Sequence, residues 1–131
     1  MTPTHHMKCP FCSPVPSDIK LRNELCYARE DAFPVSPGHT LIVPFRHVAD
    51  FFELKEDEVK AMLELLWRVR DRALEALKPG GFNVGVNAGE VAGQTVMHVH
   101  LHLIPRFKGD VADPRGGVRW IIPTKARYWP G

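Results

Sequence analysis

Between residues 55 and 78 the apolar positions Val59, Met62, Leu63, Leu66, Val69, Ala73, Leu74 and Leu77 recur every three or four residues, the spacing of one helix face. Glu56, Asp57 and Glu58 occupy the first turn, where the helix dipole favours anions, and Pro79-Gly80-Gly81 ends the pattern. This predicts one long helix, with Trp67 packing on or covering the core. Elsewhere the period is two, or the apolar runs are short. Residues 10–18 carry prolines and serines and read as irregular, and 19–21 and 25–29 read as short strands around a turn at 22–24. Pro34-Val35-Ser36-Pro37-Gly38 is a turn cluster. Thr40-Leu41-Ile42-Val43, ending at Pro44, is short enough for a buried strand with His39 at its entrance. Residues 82–87 form a further strand, 88–94 a glycine-containing loop, and 95–105 a strand that alternates strictly over its middle. The prediction is an α+β fold: an antiparallel sheet of about five strands, one long helix and a short one near Val48 to Phe52. Residues 1–7 read as a flexible tail, 8–131 as a single domain, and 107 onwards as an irregular segment carrying Trp120 and Trp129.

The strand that ends at 105 carries the chemistry. In Met97-His98-Val99-His100-Leu101-His102-Leu103-Ile104 the alternation of a strand puts the three histidines on one face and Val99, Leu101 and Leu103 on the other. Successive histidines then lie roughly 6.5 to 7 Å apart, so three imidazoles can span one small anionic group. Three hydrogen-bonded core or surface histidines would be the plainest reading, but on one face they carry a large desolvation cost unless a ligand or water meets them. A zinc trio is a second reading. Three in-register histidines on one straight strand spread too far for all to reach an ion at about 2.1 Å, although two can.

Composition narrows the partners. With 131 residues, 44% hydrophobic, the chain has material for one core. A net charge of +2, with Lys and Arg dispersed, gives no nucleic-acid surface. No apolar stretch reaches the roughly 20 residues of a membrane span, and the N-terminus lacks a secretory core, so a cytoplasmic protein is expected. Three cysteines argue against a disulfide framework. Cys26, mid-strand, reads as a small buried apolar residue. The Cys9-Pro-Phe-Cys12 pair supplies only half of a structural zinc site.

Residues 98–104 match His-apolar-His-apolar-His-apolar-apolar at every position, and in this the chain resembles the histidine triad (HIT) proteins. Gly93-Gln94-Thr95, Asn87, the stretch around His39, the cysteine pair and Asp31 also look like family landmarks, so the resemblance spans about residues 8–106. The tail is less distinctive, similar to bacterial members related to dinucleoside polyphosphate hydrolases. The resemblance implies that His100 attacks the α-phosphate of a nucleotide, forming a nucleotidyl-histidine that water then cleaves to a nucleoside monophosphate. His39 and His102 would contact the phosphoryl oxygens, with Gln94 and Thr95 beside the phosphates or leaving group. Asn87 would lie near phosphate and ribose, Asp31 would hold the ribose hydroxyls, and Phe11 and Leu41 would wall the base pocket. Dinucleoside polyphosphates and adenosine phosphoramidates are the substrates it implies. Some bacterial members, and the related galactose-phosphate uridylyltransferases, pair such cysteines with a histidine after the Pro44 strand and with the first triad histidine. Here these are His47 and His98, implying a structural zinc held by Cys9, Cys12, His47 and His98. Members of this kind are usually homodimers whose sheets join. Two rivals stay open: a nucleotide-binding or zinc-stabilised interaction protein with little turnover, and a zinc hydrolase.

Overall fold

The computed structural model describes residues 9–131, so the tail expected at 1–7 lies outside the described residues. Five strands form one sheet in the order β1-β2-β3-β5-β4: β1 (Leu21–Arg22), β2 (Cys26–Glu30), β3 (Thr40–Pro44), β4 (Gly81–Gly85) and β5 (Leu101–Arg106). All four pairings are antiparallel, and Leu41 of β3 stands opposite His102 of β5.

One helix, α1 (Glu56–Ala76), packs on one face of the sheet. Its buried residues are Met62, Leu65, Leu66, Val69 and Ala73, together with Glu58, and they meet Cys26, Ala28, Ile42, Val99, Leu101 and Leu103. Leu63, Leu74 and Leu77 of the expected stripe are instead at least 40% exposed, and Trp67 is 56% exposed. The sheet is too narrow to cover that flank: Trp67 borders a shallow groove beside Phe82 and Val84 of the edge strand β4. The short helix expected near residues 48–52 is a single 3-10 turn, Phe51–Glu53, whose Phe52 N–H donates to Asp50 Oδ1 at 2.9 Å. No helix among the described residues is long and apolar enough to cross a membrane.

Glu58 anchors the start of α1. Its Oε1 accepts the Lys55 N–H at 2.8 Å, and its two oxygens take the Arg46 guanidinium at 2.7 and 2.9 Å. A buried carboxylate is thereby satisfied at a helix N-terminus, where its charge is favoured.

The opposite face of the sheet carries a smaller apolar group, Phe11, Tyr27, Leu41 and Val43, with the N-terminal segment pinned over it by Tyr27 Oη donating to Phe11 O at 2.7 Å. After β5 the chain makes two more 3-10 turns, Gly117–Ile121 and Pro123–Lys125. Arg106 and Asp110 form a two-pronged ion pair at 2.8 Å, Trp120 Nε1 donates to Arg115 O, and Arg115 lies over the Trp129 ring.

The last strand is shorter than its alternation predicts. It begins at Leu101 rather than Thr95, and the reason lies in Pro44. The Phe45 N–H bonds Leu25 O on the β2 side, so alternation aims the Pro44 nitrogen, which has no proton, at β5. The ladder stops there, and the Val99 N–H turns to Val48 O at 2.8 Å.

Candidate active site

Because the strand stops short, the three histidines do not share one environment. His98 is fully buried, and its Nε2–H donates to Pro44 O at 2.8 Å. That fixes Nδ1 as the lone-pair nitrogen. Nδ1 lies 3.3 Å from Cys9 Sγ, 3.4 Å from Cys12 Sγ and 3.2 Å from His47 Nδ1, while Cys12 Sγ is 2.9 Å from His47 Nδ1. A tetrahedral zinc spaces sulfur from nitrogen by about 3.5 Å and nitrogen from nitrogen by about 3.3 Å. The donor set fits: two sulfurs, two imidazoles, and a histidine oriented by a carbonyl behind it. Burial and the neighbouring Cys9 push the Cys12 thiol up to about 12, and a bound divalent cation is the charge that reverses such a shift.

His100 precedes β5 and is partly buried. Its Nδ1–H donates to His98 O at 2.8 Å, leaving Nε2 with a lone pair, the state a nucleophile needs. The Phe11 ring meets it edge-on with centroids 5.1 Å apart, and the His102 ring is 5.3 Å away. His102 projects from β5 toward His39, with Nδ1 2.9 Å from His39 Nε2. His39 is buried at the entrance of β3, after Gly38. Burial lowers its pKa against the opposing pull of Asp31; burial, then His100 and His39, lower that of His102.

Asp31 is aimed by the Phe33 N–H, which donates to Oδ1 at 2.8 Å, so that Oδ2 stands 3.4 Å from His39 Nε2. Phe11 and Leu41 are side by side in the small apolar cluster next to His100 and His102. Gln94 is buried and its amide is engaged with the main chain: Oε1 accepts the Gly89 N–H at 2.9 Å, and Nε2 donates to Ala49 O and Val96 O. The side chain therefore shapes the loop that exposes Thr95.

From His39 and His102 a groove of about 760 Å³ runs past Asn87 and Ile104 to Val118 and Ile122 of the C-terminal segment. Ile104 and Arg106, which also line it, were not singled out from the sequence, although both continue the even-numbered face of His102. The contribution of Val118 and Ile122 had no such signal, because nothing periodic links the tail to the sheet.

A five-stranded antiparallel sheet backed by one helix, with His100 and His102 on its open face and His98 turned into a cysteine-histidine cluster, defines a protein of the histidine triad type. The family profile described as the HIT domain matches residues 13–109, and the chain belongs to that family. It is 38% identical over 104 residues to an uncharacterized HIT-like protein of Mycoplasma genitalium, covering 76% of this chain and 74% of that one. It is 34% identical over 93 residues to an AP-4-A phosphorylase of Mycobacterium tuberculosis, covering 70% of this chain and 48% of that one. Among solved structures it is similar to a Zn-bound histidine triad family protein from Mycobacterium smegmatis: TM-score 0.72, 32% identity, 82% of this chain and 81% of that one.

Proposed function

We propose that this protein is a nucleotidyl hydrolase or transferase that acts at the α-phosphate through a covalent adduct on His100, with dinucleoside polyphosphates or adenosine phosphoramidates as substrates and AMP as product. The observation that carries the reading is the hydrogen bond from His100 Nδ1–H to His98 O, which leaves Nε2 unprotonated beside a second imidazole. Family membership and the likeness to an AP-4-A phosphorylase support it.

In the first step the Nε2 lone pair attacks the α-phosphorus and the bond from phosphorus to the leaving group breaks with its electron pair. A polyphosphate oxygen leaves as its anion and an amine nitrogen leaves with a proton taken from solvent, while His100 keeps its Nδ1–H on His98 O. In the second, water attacks phosphorus, the N–P bond breaks and the nucleoside monophosphate departs. The phosphoryl oxygens need donors throughout. His102 and the Thr95 hydroxyl fill that role, and Asn87 lines the same groove as His102. Phe11 and Leu41 wall the base pocket, Asp31 holds the ribose hydroxyls, and Gln94 keeps the loop in shape. Phosphate in place of water as acceptor turns the hydrolase into a phosphorylase through the same adduct.

Zinc at Cys9, Cys12, His47 and His98 would be structural, tying the N-terminal segment to the backbone beside His100. Four protein donors close the coordination sphere, which favours a structural ion over a zinc hydrolase. The unit is a single domain over residues 8–131, and it works as a homodimer. The outer edge of β4, which pairs with no strand among the described residues, and the exposed Trp67 and Val84 support that assembly.

Intact-mass spectrometry after mixing with a diadenosine polyphosphate or an adenosine phosphoramidate tests the reading. The expected result is one adenylate added to wild type and none to His100→Ala, with AMP accumulating only for wild type. Nucleotide binding without adduct or AMP would favour the binding protein instead.

A further inference from the structure

His39 Nε2 and His102 Nδ1 are 2.9 Å apart. So short a gap holds one proton: two N–H groups would collide and two lone pairs would repel. Which ring carries it is decided on the far side of His39. There the backbone N–H of Val35 donates to His39 Nδ1 at 3.2 Å. A backbone amide has only a proton to offer, so Nδ1 of His39 holds a lone pair and its own proton sits on Nε2. His39 Nε2–H then points at His102 Nδ1, and the proton of the neutral His102 ring is left on Nε2.

Asp31 agrees with this assignment. Its Oδ2 is 3.4 Å from His39 Nε2 and 3.9 Å from His102 Nδ1, a second acceptor for the same proton on the His39 side. Asp31, His39 and His102 also have the composition of a cation-binding trio. A protonated His39 Nε2, however, offers no lone pair to a metal.

We infer that the Val35 amide, acting through His39, fixes His102 as an Nε2–H donor to the transferred phosphoryl group, so that His39 is a positioning residue and not a phosphate ligand. This rests on nucleotidyl transfer at His100. The neighbouring rings are thereby set in opposite tautomers by the main chain. The His98 carbonyl takes the Nδ1 proton of His100 and leaves its Nε2 as a nucleophile. The Val35 amide, one imidazole removed, gives His102 the opposite arrangement. A phosphoryl oxygen that gains negative charge during attack then meets a donor; the other tautomer would present it with a lone pair.

The proton is located by NMR of the full chain with 15N-labelled imidazoles. One-bond splitting identifies the protonated nitrogen, and a coupling across N–H···N identifies the pair. The expected result is a proton on His39 Nε2 coupled to His102 Nδ1; a proton on His102 Nδ1, or no coupling, overturns the inference. In a second arm Val35 is replaced by its α-hydroxy acid, which exchanges the N–H for an ester oxygen and keeps the side chain. His102 is expected to lose its Nε2 proton and kcat on a diadenosine polyphosphate to fall about 100-fold with little change in KM. An unchanged proton position or rate overturns the part assigned to Val35. His39→Gln keeps a side-chain N–H for His102 and His39→Leu does not, so the first is expected to retain most of the rate that the second loses, and equal losses overturn the positioning role. The proton assignment needs no turnover. Correct protonation in a protein that shows no nucleotidyl transfer would therefore sink the proposed function alone.

Discussion

The imidazole of His98 donates through Nε2 to the Pro44 carbonyl, 2.8 Å away, at the point where the β3–β5 ladder would otherwise have continued. The bond replaces a backbone rung with a side-chain one. It also turns Nδ1 of the first triad histidine away from the groove and toward Cys9, Cys12 and His47.

Purified protein is accordingly expected to hold one zinc per chain by elemental analysis, and Cys12→Ser to hold far less. Loss of a structural ion that ties residue 9 to residue 98 should lower stability by on the order of 3–5 kcal/mol, read as a fall in Tm. Activity of the folded fraction should drop with it, because the backbone carbonyl that orients His100 belongs to His98, one of the four residues that would hold the zinc. Zinc removal that leaves both Tm and activity intact would refute the structural role.

Glu58 is 3% exposed and serves both Arg46 and the first turn of α1. Glu58→Gln keeps the shape but loses the charge. With the Arg46 side chain 42% exposed and its contribution screened, a loss of about 1–2 kcal/mol is expected in urea unfolding at pH 7. The Arg46 hydrogen bonds lower the pKa of Glu58 below its ordinary 4.5. Its stabilisation is therefore complete above pH 4.5 and lost as pH falls through the folded value. Wild type should lose stability over that acid window more steeply than the variant.

A second acid window comes from the histidines. Burial holds the pKa values of His39 and His102 below the usual 6.5, so the unfolded chain takes up their protons first as pH falls. Their contribution is complete above pH 6.5 and declines below it toward the folded values. Unfolding free energies between pH 7.5 and 5.5 should decrease, and His39→Gln should flatten the decrease. A wild type whose stability is constant over that range would contradict the buried neutral pair.

Gly38 has φ +84°, and a Cβ there would come within 2.6 Å of Leu77 Cδ1 and 3.2 Å of Pro105 Cγ. Gly38→Ala should cost about 2 kcal/mol or more through left-handed strain and crowding. Since residue 38 delivers His39 to the sheet, kcat should fall as well. An unaltered Tm would show that the turn has room to relax.

Much of this architecture was legible in the sequence. Helical periodicity located α1 to within two residues of each end, and the alternation around residue 102 identified the strand facing the groove. Where the reading went astray, the cause was a contact made far along the chain. The strict alternation of residues 97–104 says nothing of Pro44, whose missing proton ends the ladder. Trp67 lies beside the apolar stripe, but the width of the sheet beneath α1 decides its exposure. At Gln94 the sequence places an amide beside the glycine loop, and the path of that loop adds what periodicity cannot, the bonds of the amide to Gly89, Ala49 and Val96.

The protons of His100 and His39 are set by main-chain groups, the carbonyl of His98 and the amide of Val35. A carbonyl is present whatever the side chain, and an amide proton is present in every residue except proline. Over evolutionary time residue 35 is therefore free to change in size and polarity without disturbing the imidazole that it orients. Proline is the replacement that selection should exclude there, a constraint that a comparison of side chains alone would mistake for indifference.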